Sequence, residues 1–125
     1  MKLIAKLALV PPLLLSLLMG LMCLFAPDRA ADALGGFAGT TELGAATLRA
    51  DLAAFFLTAA IGLLGAMFAG KRHWLWAPLA LYGLAAVGRV VDVLFTGLDA
   101  GEMQPILIEL AAVALIAFAM RSRPR

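Results

Sequence analysis

The stretch "WLWAPLALYGLAAVGRVVDVLFT", residues 74–96, decides the fold. At about 1.5 Å per residue it spans the roughly 30 Å of hydrocarbon in a bilayer. It also carries Arg89 and Asp92, three residues apart and so on one face of a helix. Charges inside a membrane span face the protein interior and find partners, so this helix is expected to pack against others. The rest of the chain supplies both solvent and neighbours. Of its 125 residues 64% are hydrophobic and 14% charged, with a mean hydropathy of +1.01. Water-soluble domains run near half apolar and a quarter charged. Too little polar surface is available to cover a globule in water, so the bilayer is the solvent.

Three further windows are long and apolar enough, at about residues 3–25, 44–69 and 103–120. The last is the shortest and is expected to stand nearly upright. None shows the two-residue alternation of a barrel strand, and unpaired backbone is not tolerated in lipid, so all four are helices. The reading is an all-α integral membrane protein: one domain over 1–125, a four-transmembrane-helix bundle with an external loop at 26–43.

Orientation follows from the basic residues. Lys2, Lys6, Lys71, Arg72, Arg121, Arg123 and Arg125 fall on one side, while the opposite loops hold Arg29 with Asp28, Asp32, Glu42, Asp99 and Glu102. The positive-inside rule places both termini in the cytoplasm, in a bacterial inner membrane. Trp74, Trp76 and Tyr82 are expected near the cytoplasmic interface, where amphipathic rings sit. This charge distribution is a topology signal, not a nucleic-acid footprint. The first window resembles a signal peptide in its Lys-plus-apolar start, and "ADA" at 31–33 offers a cleavage pattern. Its apolar run exceeds the usual core of about 7–15 residues, which argues for retention. Pro11 and Pro12 lie inside it, tolerable in a packed membrane helix.

In the long loop, Pro27 stops the first helix, Asp28 is placed to cap a short turn through "DRAADAL", and Gly35–Gly36 breaks it. Thr40 or Thr41 then offers a hydroxyl to the free amides of the second helix, with Glu42 at its positive end. Cys23 is the one cysteine and His73 the one histidine, so no internal disulfide and no zinc cluster is expected, and no cofactor is called for. No phosphate loop, HExxH or nucleophile elbow occurs, and the chain reads as a non-enzyme.

Helix association in lipid rests on close packing and polar contacts. On the second helix Ala46, Ala50, Ala54, Thr58, Gly62, Ala66 and Gly70 recur every fourth residue and predict a packing groove along its length. Charges gather at one depth. Arg49 and Asp51 lie about 8 and 10 Å in from Gly44, Asp92 and Arg89 about 6 and 10 Å from Thr96, and Glu109 about 8 Å from Gln104. The expected pairs are Arg49 with Glu109 and Arg89 with Asp92, exchange allowed, with Asp51 on the opposite face. Two readings stay open. One is a polar clasp fixing the register of helices two, three and four. The other is a site that uses Arg for an anionic group or Glu109 as a proton carrier.

The segments "LRADLAAFFLTAAIGLLGA", "GLAAVGRVVDVLFTGLDAG" and "PILIELAAVALIAF" resemble the small bacterial membrane proteins grouped as domain of unknown function family 4345. The resemblance covers most of the chain from Pro27 onward. It implies a four-helix fold with Arg49, the Gly88–Arg89 pair and Glu109 at the family's polar positions, and it implies no activity. The sequence departs from that pattern at Asp51, Ala53–Ala54 and Asp92. Two functions are compatible with all of this. The first is an accessory or interaction protein whose partner, beside the bilayer, is another membrane protein or a second copy. The second binds or transports a small anion, lipid head group or hydrophobic molecule at the cluster.

Overall fold

The structure, a computed structural model, describes residues 1–35 and 41–122. Every element among them is helical: α1 (Leu3–Phe25), α2 (Pro27–Ala33), α3 (Glu42–Ala69), α4 (Arg72–Thr96) and α5 (Ala100–Arg121). α3 contains a π-helical turn at Leu48–Leu52, and α4 opens with a 3₁₀ turn at Arg72–Leu75. All but α2 are long and apolar enough to cross a membrane.

The helix ends follow local chemistry. Pro27 occupies the first turn of α2, where its missing N–H costs nothing. Thr41 caps α3: its Oγ1 accepts from the Gly44 amide at 2.9 Å. Thr40 and Gly36 lie outside the described residues. Gly70 closes α3 at φ 68°, a left-handed conformation that only glycine takes freely. α5 begins at Ala100 rather than near 103 because Asp99 and Glu102 form a capping box. At 22 residues it is longer than the 103–120 window, though still the shortest of the four long helices.

α1 and α4 each pack between α3 and α5, and consecutive long helices run antiparallel. α1 buries Ala5, Leu9, Pro12, Ser16, Met19 and Cys23, an alternating three-four spacing that keeps one stripe facing its neighbours. α3 does likewise through Ala53, Phe56, Ala60 and Leu63. Glycines set the closest approaches. A Cβ on Gly62 would stand 2.6 Å from Pro78 Cδ and 2.8 Å from the Trp74 carbonyl, and one on Gly65 would meet the Trp74 ring at 2.5 Å.

The predicted groove therefore holds at only two of its seven positions, and Gly70 at its end is exposed. Gly62 and Ala66 are buried, but Ala46, Ala50, Ala54 and Thr58 are exposed. Each step of four residues rotates about 40° on a 3.6-residue helix, so a fourth-residue row winds around and cannot stay on one face.

Two apolar cores divide the bundle. The first, near the chain termini, joins all four long helices through residues such as Leu9, Leu63, Leu75, Tyr82 and Ile116. The second, at the other end, joins only α1, α2 and α3 through Met19, Cys23, Ala30, Leu48 and Phe56. Beyond Tyr82 no residue of α4 is buried, and before Ala112 none of α5 is. The large apolar side chains there, such as Leu84, Val87, Leu94 and Phe95 of α4 and Leu107 and Leu110 of α5, are exposed. Ala85 and Gly88 of α4 and Glu102, Gln104 and Glu109 of α5 line the space left between the helices, and a wedge remains open.

Candidate binding cavity

The wedge holds a cavity of about 480 Å³. Leu15 and Met19 of α1, Phe55 and Phe56 of α3, Tyr82 and Arg89 of α4, and Glu102, Gln104 and Glu109 of α5 line it. The end of α2 covers one side with Asp32, Ala33 and Leu34. A neighbouring hollow of about 430 Å³ shares Phe55, Phe56, Arg89 and Glu109, and adds Leu52, Gly88 and Asp92.

Its floor is aromatic and fixed. Tyr82 is 2% exposed and its hydroxyl lies 2.6 Å from Ser16 Oγ. Ser16 spends its own proton on the Pro12 carbonyl at 2.7 Å, so Tyr82 must be the donor between them. Phe55 stands edge-on to Phe56 at 5.0 Å and to Tyr82 at 6.0 Å. Tyr82 thus belongs to the bundle interior, not to an interfacial belt. Its place near the start of the third window hid that role, because the partner Ser16 is 66 positions away.

The expected charge pairs are rearranged. Arg89 pairs with Glu109, its Nε 3.4 Å from Oε1, and not with Asp92. This is the ion pair found among the described residues, and at 34% and 14% side-chain exposure it is only part-buried. Arg49 reaches neither carboxylate. Its Nε donates to the Leu24 carbonyl at 3.3 Å, one of the last-turn oxygens that α1 cannot satisfy itself. Asp92 accepts from the Thr96 hydroxyl at 3.4 Å and faces Glu102 across to α5. Asp51 is exposed, with no ion-pair partner among the described residues.

Of the five candidate residues, Arg89, Asp92 and Glu109 therefore come together at the cavity, while Arg49 and Asp51 line neither hollow. Asp32, Asp99, Glu102 and the three aromatic rings were not expected there. The acids were visible as loop residues, but nothing in their spacing aims them at a cavity.

The pairing is incomplete. Arg89 engages Oε1 of Glu109, while Oε2 is buried with no hydrogen-bond partner. A buried acceptor left unpaired costs about 1–3 kcal/mol, more when charged. Neither Ser16, held by two bonds, nor Cys23, enclosed in the second core, lines the cavity. Among the described residues no group of three or more His, Cys, Asp or Glu is arranged to hold a metal ion. Comparison with family models, curated proteins and solved structures finds no match to this chain.

Proposed function

We propose that this chain is a multi-pass membrane protein that binds a small amphipathic molecule in the cavity between its helices. The observation that carries this reading is the buried, unpartnered Oε2 of Glu109 beside a cavity with an aromatic floor. The volume lies in the range of small-molecule sites, which combine apolar walls with a few placed polar groups. A clasp alone would be expected to satisfy both oxygens of its carboxylate. The membrane is the bacterial inner one, with both termini in the cytoplasm. The basic residues at the terminal end and the carboxylates at the other support this, so the cavity opens toward the outside. α1 is retained, since it contributes to both cores. The resemblance to domain of unknown function family 4345 fits the same arrangement, with Arg89 and Glu109 at its polar positions.

A second reading, docking onto another membrane protein or a second copy, draws support from the uncovered face of α4. Gly83 and Gly88 there have open space where a Cβ would stand.

Native mass spectrometry of protein released from nanodiscs tests the first reading. Wild type is expected to carry a noncovalently bound small molecule that Ala33→Trp loses, because Ala33 is exposed and lines the cavity, which the new ring would fill. Protein without adduct, or equal adduct in both, would count against it.

A further inference from the structure

We infer that the guest is an organic cation, a protonated amine with an apolar tail, rather than an anion. This inference rests on the binding reading above and names its ligand class.

Three observations converge. First, the unsatisfied buried atom is an acceptor. Glu109 Oε2 lacks a donor, whereas the Arg89 Nε that faces it is already engaged with Oε1. A guest that brings an N–H completes the carboxylate; one that brings only lone pairs leaves it unmet and adds repulsion.

Second, the charge balance of the lining is negative. Asp32, Asp99 and Glu109 line the cavity against Arg89 alone, while Glu102 and Asp92 share a hydrogen bond that needs a proton on one of them and so add one negative charge between them. Arg49 is turned away to the Leu24 carbonyl. A cleft lined by one sign of charge between low-dielectric walls concentrates ions of the other sign. An anion docking on Arg89 would have to sit beside Glu109 and pass this acidic rim.

Third, the rings of Phe55, Phe56 and Tyr82 line the same space. Aromatic faces attract cations, more strongly where water is excluded. Leu15 and Met19 leave room beside them for an apolar tail. Rim, buried acceptor and aromatic floor thus select in sequence: charge at the mouth, an N–H at Glu109, a hydrocarbon body behind it.

The test uses the full chain in phosphatidylcholine nanodiscs and four probes sharing one body: 4-phenylbutylamine, its N,N,N-trimethyl derivative, 4-phenylbutanol and 4-phenylbutyrate. Calorimetry is expected to show the amine binding at least about tenfold tighter than the alcohol. The trimethyl derivative, with no N–H, should fall between them, and the acid should not bind. Glu109→Gln should erase the preference for the amine over the alcohol. Asp32→Asn, an exposed rim change with no packing role, should weaken the amine severalfold and flatten its salt dependence. That second variant keeps the test decisive if Glu109→Gln folds poorly. Equal binding of amine and alcohol, tighter binding of the acid, or an amine preference untouched by both variants overturns the cation assignment while leaving a binding cavity in place. Failure of all four probes overturns the cavity reading, and the cation assignment with it.

Discussion

The Tyr82 hydroxyl on α4 donates to Ser16 Oγ on α1 across 2.6 Å, bridging two helices that otherwise pack through their shared neighbours α3 and α5. The same Ser16 proton goes to the Pro12 carbonyl, so one short relay links the proline-bearing segment of α1 to the cavity floor. The relay is directional, and its two ends are not equivalent. In Tyr82→Phe the serine keeps its bond to Pro12, and the loss should be about 0.5–1 kcal/mol. Ser16→Ala strands the tyrosine hydroxyl and should cost about 1–3 kcal/mol. Unfolding midpoints of the two variants in detergent check this; a larger loss in Tyr82→Phe would contradict the assigned direction.

Arg89→Ala should lower the yield of folded protein, because it leaves Glu109 with both oxygens unmet. Neutralising Glu109 in the same chain should restore part of that yield, and neutralising Asp92 should not. The pair is half open to its surroundings, so the coupling should be modest, about 0.5–1 kcal/mol. A double-mutant cycle on the thermal midpoint measures it. Coupling to Asp92 in place of Glu109 would refute the observed pairing.

Two glycine-to-alanine changes should act oppositely. In Gly62→Ala the new methyl would press on Pro78 and the Trp74 carbonyl, forcing α3 and α4 apart at a cost of about 1–3 kcal/mol. In Gly88→Ala the methyl meets open space, and gained helix propensity should leave stability unchanged or raise it by up to about 1 kcal/mol. Comparable destabilisation by both would mean that something covers the face of α4 bearing Gly88.

Thr41→Ala removes the side-chain acceptor for the Gly44 amide and should cost about 1 kcal/mol. The loss should be local. Hydrogen exchange is expected to speed up at Gly44 and Ala45 and to stay unchanged beyond the π turn at Leu48–Leu52.

Topology is checked by accessibility. In a Cys23→Ala background, a cysteine at Asp32 should react with a membrane-impermeant maleimide in intact cells, and one at Lys71 should react only after lysis. The reverse pattern would invert the proposed orientation.

Much of the architecture is legible in the linear chain, because solvent class and helix periodicity are local properties. The apolar windows located the four long helices, and the α1 boundaries coincide with those expected at 3–25. Thr41 and Pro27 could be read as cap and stop because capping chemistry acts within a few residues. The failures share one cause. The fourth-residue row on α3, the interfacial placing of Tyr82 and the Arg49–Glu109 pair all required knowing which azimuth of each helix meets its neighbour.

What the sequence determined alone is the number of long helices, their being apolar enough to cross a membrane, and the gathering of the acidic side chains at one end of them. Those follow from composition and from a fixed rise per residue. Only the tertiary structure decided that α4 and α5 stay unburied at that end, that Arg89 meets Glu109, and that one carboxylate oxygen is left open beside a cavity. Each of these depends on the relative rotation of separate helices. That rotation is set by where glycines permit close approach and where large side chains forbid it, a sum over contacts that no single stretch of chain contains.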